Sequence, residues 1–253
     1  MTAPDHILLL AGTFEARQLT ERLSSTFPGL HLTVSFAGVV RDLPDLGVPT
    51  RIGGFGGTAG LAKFLEDESV TLVIDATHPF AAQMSRNAFE ACSNCRLPLL
   101  RLERTAWKPL EEDRWEPVVS IEDAVSALPS ASRAFLAVGR KEISRFYPRS
   151  DIFGVARMIE PPRQPLPPQW ELVLARPSSS AEEEMSLLRK RGITHLVAKN
   201  SGGERSYAKI EAARRLGLPV IMIDRPKLPR TKTSTTVADT VEKIRIVLAS
   251  NRS

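Results

Sequence analysis

The stretch Ile7–Leu23, ILLLAGTFEARQLTERL, decides the fold. Five apolar residues in a row, Ile7 to Ala11, read as a strand buried on both faces, as in a parallel sheet. Gly12 permits a sharp backbone turn, Thr13 follows, and a helix opens at Phe14 or Glu15, with Ala16 small enough to let it sit close to the sheet. A strand, a glycine turn and a helix N-terminus with free N–H groups form a place where an anion can rest. Any tight strand-to-helix turn of an α/β protein shares this outline, so the rest of the chain has to decide between the two readings.

Working outward, strand-like runs recur at Leu32–Phe36, Thr71–Asp75, Leu97–Leu102, Ala134–Val138, Asp151–Arg157, Glu171–Ala175, His195–Lys199 and Val220–Asp224. Helix-like stretches follow most of them: Phe14–Ser24, Ala59–Glu66, Phe80–Cys92, Ile121–Leu128, Ala181–Arg191, Tyr207–Leu216 and Val237–Ala249. Strands alternating with helices of about ten residues mean βαβ units and parallel sheets. The expected fold class is α/β, with two small Rossmann-like lobes, parallel sheets and a cleft between them. The polar, Pro-flanked stretch Lys108–Pro117 suggests a boundary, and Pro161–Pro168 reads as an extended surface loop. The expected division is 1–105 for a nucleotide-binding lobe, 106–235 for a second α/β lobe and 236–253 for a C-terminal helix.

The candidate cofactor residues lie at strand ends. Gly12 and Thr13 close the first strand. The second ends in Ser35-Phe36-Ala37-Gly38 with no acid, and Arg41 follows. An acid there would hold a ribose 2′-hydroxyl, whereas Ser35 and Arg41 suit a 2′-phosphate, with Ala37 and Gly38 as further cofactor contacts; an exposed loop arginine is the competing reading. Arg51–Gly60 carries Gly53, Gly54, Gly56 and Gly57 before a helix, which suits close backbone approach to a ligand; a flexible linker is the alternative. The third strand ends in Asp75-Ala76-Thr77-His78-Pro79, where Thr77 is either a ligand contact or a helix cap and Pro79 fits the first turn of a helix. Late in the chain, Lys199-Asn200-Ser201-Gly202-Gly203 places a cation and a polar glycine loop ahead of a helix.

The 253 residues carry 34 Lys plus Arg against 29 Asp plus Glu, a net charge of +5, with 42% hydrophobic and 25% charged residues. That composition is ordinary for a globular protein and excludes disorder, collagen and coiled coil. No apolar run approaches the roughly 20 residues that cross a bilayer, and the N-terminus lacks a basic signal region, so a cytoplasmic protein is expected. The charge is uneven. Residues 225–253 hold +5 and residues 130–180 hold +4. Arg140, Lys141, Arg157 and Arg176 fall at or near strand ends, and Arg205 and Lys209 follow the glycine loop. A cationic rim suits a small polycarboxylate; a nucleic-acid binder would want a continuous basic stripe with interleaved aromatics, which is absent. The pair Cys92 and Cys95 has no further ligands at metal spacing, so no metal is expected.

Four segments together, LLLAGTFEAR, IDATHPFA, LRLERTAW and LVAKNSGGERSYAKIEAARRLGLPVIMIDRP, make the chain similar to the precorrin-6A reductase family of cobalamin biosynthesis and its cobalt-precorrin counterpart. The resemblance runs over nearly the whole chain. It departs at Asn200, where many members have Asp, and at Arg176-Pro177-Ser178-Ser179, where members have a Gly-Pro-Phe-Ser type stretch. The resemblance implies NADPH as cofactor and precorrin-6A, a tetrapyrrole polycarboxylate, as substrate, with a hydride delivered to one double bond to give precorrin-6B. Other corrin-pathway enzymes are conceivable partners. His78 is the one candidate proton donor, with solvent or substrate as alternatives. A non-catalytic nucleotide-sensing or tetrapyrrole-carrying module would keep the same fold without turnover.

Overall fold

A computed structural model of the chain describes residues 5–36 and 46–250. It divides into two units: one holds the described residues up to Arg104 together with those from Lys227 onward, the other holds Thr105–Pro226.

The first unit begins with β1 (His6–Ala11), α1 (Phe14–Thr26), β2 (His31–Phe36), β3 (Thr50–Ile52), α2 (Gly57–Asp67), β4 (Leu72–Asp75), α3 (Ala82–Cys95) and β5 (Leu99–Leu102). The continuous apolar run of β1 is explained by its central place, because successive side chains point to opposite faces. Ile7, Leu9 and Ala11 join Leu19 and Leu23 of α1, while Leu8 and Leu10 join Leu61 and Leu65 of α2 and Ala88 and Cys92 of α3. Both faces are therefore covered by helices, and every pairing in the sheet is parallel.

The second unit comprises β6 (Trp115–Val118), α4 (Ile121–Ala127), β7 (Arg133–Ala137), a 3-10 turn (Ile143–Phe146), β8 (Phe153–Met158), β9 (Glu171–Leu174), α5 (Ala181–Lys190), β10 (His195–Lys199), α6 (Ala208–Arg215) and β11 (Val220–Ile223). Phe135, Val155, Leu196, Ala198, Val220 and Met222 line one face of its sheet against Leu188, Ile210 and Ala213. The chain then returns to the first unit through β12 (Lys232–Ser234), which pairs with β5, and α7 (Val237–Ser250), whose Val241, Ile244 and Leu248 complete the core beside α1.

Among the described residues the strand orders are β12-β5-β4-β1-β2-β3 and β6-β11-β10-β7-β8-β9. Both trace the 3-2-1-4-5-6 pattern of a doubly wound dinucleotide-binding sheet in space. The sixth strand comes from opposite directions in sequence, after the unit in the first case and before it in the second. The second boundary accordingly lies at 226, not at the expected 235, because β12 hydrogen-bonds to β5 and α7 packs in the first core. The expected irregular stretch 108–117 also needs correction. Its last residues start β6, an edge strand that tolerates Pro117 because an edge leaves some N–H positions unused.

Candidate functional site

In a doubly wound sheet ligands gather where strand order reverses, outside the carboxyl ends of the strands. In the first unit that point lies between β1 and β4. Gly12 has φ +150°, and a Cβ built there meets no atom within 4 Å. The space above the turn is thus open to a ligand. Thr13 caps α1: its hydroxyl accepts from Ala16 N–H at 3.1 Å and donates to the Ala76 carbonyl at 2.9 Å, tying the β1 end to the β4 end. Ala76 is buried, and its N–H donates to the Leu10 carbonyl at 2.9 Å.

The turn after β4 is built around Asp75, which is 1% exposed. Its Oδ1 accepts from Thr77 Oγ1 at 2.6 Å and from Thr77 N–H at 3.2 Å. Its Oδ2 accepts from Arg101 Nε at 3.3 Å across the β4–β5 register. Arg101 also donates to the Pro229 carbonyl at 3.2 Å. Thr77 is not a helix cap: α3 starts at Ala82, with Ala81 at its cap. Pro79 is buried in the preceding turn and not in the first turn of the helix, since the chain first folds back through the bond from Ala81 N–H to the His78 carbonyl. His78 Nδ1 accepts from Phe80 N–H at 3.2 Å, which assigns the proton of a neutral ring to Nε2.

A shallow pocket opens here, lined by Thr13, Glu15, Thr77, Pro79, Leu102, Glu103 and Arg104. Arg104 Nη1 donates to Glu15 Oε2 at 2.8 Å. Sequence reasoning missed Glu15, Glu103 and Arg104 as site residues. The signal was present in LRLERTAW, which continues directly from β5, so its Glu and Arg sit at a carboxyl end next to β4.

The remaining first-unit candidates are placed less centrally. Ser35 is buried within β2. Ala37, Gly38 and Arg41 lie outside the described residues. Gly53 comes just after β3, its N–H donating to the Phe36 carbonyl at 2.9 Å. The carbonyls of Gly53 and Gly54 both accept from the Arg51 guanidinium, at 2.6 and 2.7 Å, and that guanidinium lies 3.9 Å over the Phe55 ring. The glycine stretch is thus held by its own arginine, not a slack linker. On α3, Cys92 is buried and burial pushes its thiol up to about 12, while Cys95 lies against the Ala62 carbonyl.

In the second unit the reversal lies between β7 and β10. Gly139 has φ +87° and open space at its Cβ position, as at Gly12. Beyond it the chain forms a 3-10 turn instead of a long helix. The β10 end is closed by the chain itself. Asn200 is buried; its Oδ1 accepts from Trp107 N–H at 2.8 Å and its Nδ2 donates to the Trp107 carbonyl at 3.0 Å. Trp107 Nε1 donates to the Gly203 carbonyl at 2.8 Å, and Arg225 donates to the carbonyls of Asn200 and Ser201. A Cβ on Gly202 would collide with the Thr105 carbonyl oxygen. Of the candidate cofactor residues here, Asn200 has both ends of its side chain taken by Trp107, and the missing Cβ of Gly202 makes room for the Thr105 carbonyl.

The cations divide similarly. Lys199 pairs with Glu142 at 3.0 Å and Arg140 with Glu160 at 2.5 Å. Lys141, Arg176 and Arg205 are exposed. Arg157 and Lys209 are corrections. Arg157 is buried and its Nη1 lies 2.6 and 2.7 Å from the two oxygens of buried Glu184, which also accepts from Ser178 N–H. Lys209 is buried, donating to the Ser206 carbonyl with its ammonium 4.7 Å from the Trp107 ring centroid. Neither side chain faces a rim. Among the described residues no helix is long and apolar enough to cross a membrane.

Comparison with known proteins adds a family. The model of the family described as Precorrin-6x reductase CbiJ/CobK matches residues 6–245. A Precorrin-6A reductase of Rhodobacter capsulatus is 45% identical over 225 residues, 88% of this chain and 89% of that protein. A Cobalt-precorrin-6A reductase of Priestia megaterium is 32% identical over 234 residues, covering 88% and 91%. A solved structure titled CobK precorrin-6A reductase superposes with a TM-score of 0.89 at 42% identity, over 96% of this chain and 97% of that one.

Proposed function

Because the chain belongs to the precorrin-6x reductase (CbiJ/CobK) family, oxidoreductases of cobalamin biosynthesis, we propose that it uses NADPH to reduce one double bond of the precorrin-6A macrocycle, giving the dihydro product precorrin-6B. The single observation that carries the dinucleotide part is the open Gly12 turn at the reversal of a 3-2-1-4-5-6 sheet, with α1 starting directly beyond it.

The residues fit such a group. The missing Cβ of Gly12 leaves room for a pyrophosphate, and α1 starts two residues on, at Phe14, its N-terminus being the end of a helix that favours an anion. When bound, the cofactor supplies a hydride, and the protein supplies position and electrostatics. Thr13 and the Asp75–Thr77 turn fix the two strand ends against each other, so the reacting groups meet a preorganised surface. His78 Nδ1 accepts from Phe80 N–H, which leaves a neutral ring that offers a hydrogen bond from Nε2, and the proton for the carbon next to the one reduced is assigned to solvent. Acetate and propionate arms of such a macrocycle pair with cations, and Lys141, Arg176 and Arg205 are exposed on the second unit.

Titration with NADPH and with NADH, followed by nicotinamide fluorescence, tests the cofactor. Tighter binding of NADPH is expected; equal or absent binding of the two defeats the NADP preference. Adding precorrin-6A with NADPH is expected to change the visible spectrum of the macrocycle, whereas a carrier module would bind it and leave the spectrum as it was.

A further inference from the structure

The hydroxyls of the first unit's pocket have a definite polarity. The proton of Thr77 Oγ1 goes to Asp75 Oδ1, because a carboxylate only accepts. The proton of Thr13 Oγ1 goes to the Ala76 carbonyl for the same reason. Both threonines line the pocket, together with Glu15 and Glu103. The cation of that lining, Arg104, lies 2.8 Å from Glu15. At Thr77 the lining therefore presents an acceptor. An oxygen whose proton is committed elsewhere repels a phosphate or carboxylate oxygen and attracts an O–H or N–H.

Thr77 cannot easily reverse. Asp75 is held from behind by Arg101, and its Oδ1 also takes Thr77 N–H, so backbone and side chain of Thr77 are gripped by one oxygen. Arg101 is 6% exposed and Asp75 1%, so water does not compete for the pair.

We propose that Thr77 is a specificity-determining acceptor: its oxygen receives a hydrogen-bond donor of the ligand, a ribose hydroxyl or an amide N–H, and turns anionic groups away. Asp75 and Arg101 act as positioning residues that keep it so. The phosphates are left to the Gly12 turn and the α1 N-terminus. This rests on the dinucleotide reading above and says which half of the dinucleotide the pocket takes.

The test measures binding, not turnover, on the full chain. Wild type, Thr77→Val and Thr77→Ser are titrated calorimetrically with NADPH, with its 3-acetylpyridine analogue, which lacks the amide N–H, and with 2′,5′-ADP, which holds only the adenosine and phosphate end. T77V is expected to weaken NADPH about tenfold, the loss of one hydrogen bond. T77S is expected to restore it, and 2′,5′-ADP is expected to bind all three proteins alike. If T77V also weakens the acetylpyridine analogue, the donor is a ribose hydroxyl; if the analogue binds wild type and T77V alike, it is the amide. An equal loss for 2′,5′-ADP, or no loss for NADPH, overturns the inference and leaves the dinucleotide reading standing. Wild type that binds none of the three probes overturns the reading itself, and the inference with it.

Discussion

The two units share a strand order and differ in what they do with it. In the first, β1 ends at Ala11, Gly12 and a 13-residue helix follow, and the neighbouring β4 end carries a turn whose Thr77 and Pro79 line a pocket. In the second, β7 runs into Gly139 and a 3-10 turn, and the β10 end is filled by Trp107, Thr105 and Arg225. Topology marks where a ligand can sit, but local chemistry decides whether the place is open. A long helix supplies amide dipoles that one short turn does not, and a glycine signals a ligand only if its missing Cβ faces space.

Each unit also holds a strand to a neighbouring loop with a buried arginine–carboxylate pair. Arg101–Asp75 grips Thr77, and Arg157–Glu184 grips Ser178. Removing one partner strands a buried charge, so Asp75→Ala and Glu184→Ala are each expected to cost about 3–5 kcal/mol in denaturant unfolding. The comparison sharpens if D75A also weakens NADPH binding while E184A, at a fraction of denaturant where both remain folded, does not. Equal binding losses would break it.

The glycines come next in size. Gly202→Ala is expected to destabilise by about 3 kcal/mol, because its Cβ would press on the Thr105 carbonyl as well as hold a positive φ of 66°. Gly139→Ala faces only the backbone strain, about 1–2 kcal/mol, since nothing lies within 4 Å of its Cβ position. Matching midpoints for the two variants would mean that the second unit is no more filled at β10 than at β7.

Much of this was legible in the sequence. The apolar runs of the central strands, the glycine turn after Ala11 and the polar turn after β4 are strong signals because a two-faced buried strand and a strand-end turn have few other uses. The edges were not legible. Thr50–Ile52, Trp115–Val118 and Lys232–Ser234 are three or four residues long, with a proline in one and a lysine in another, and edge strands need little apolar content. Nor were the inward arginine and lysine legible. Arg157 and Lys209 look like rim cations in one dimension; only Glu184, 27 residues on, and Trp107, about a hundred residues back, reveal that they are partnered inside.

Smaller effects compare the caps. Thr13→Ala removes two bonds, one to Ala16 N–H and one to the Ala76 carbonyl, whereas Ser180→Ala removes the cap of α5 on Glu183 N–H. About 1.5 kcal/mol is expected for the first and about 1 kcal/mol for the second, with Thr13→Ser restoring most of the loss. Thermal or denaturant midpoints of the three variants check this.

The smallest difference is in pH. Burial lowers His6 in the first unit and His195 in the second below the usual 6.5. For His6 this is opposed by its bond to the Glu68 carbonyl and aided by His31; for His195 it is opposed by Glu116 and aided by Arg114. The unfolded chain then takes up protons before the folded one, so stability is full above 6.5 and falls as pH drops from there toward the lowered values. Unfolding curves between pH 7.5 and 5 are expected to show a fall that is reduced in His6→Gln and, separately, in His195→Gln. A fall unchanged in both would assign it to other groups.

The return of the chain through β12 and α7 has a consequence for biosynthesis. All of Thr105–Pro226 leaves the ribosome while its host sheet still lacks an outer strand and a helix. The inserted unit has its own six strands and can close first; the unit that comes first in sequence is finished last. Until residues 227–250 are made, β5 is an exposed edge and the face of α1 that Ile244 later covers is bare. A nascent chain stalled after Pro226 is therefore expected to present a protease-resistant second unit tethered to an open first one.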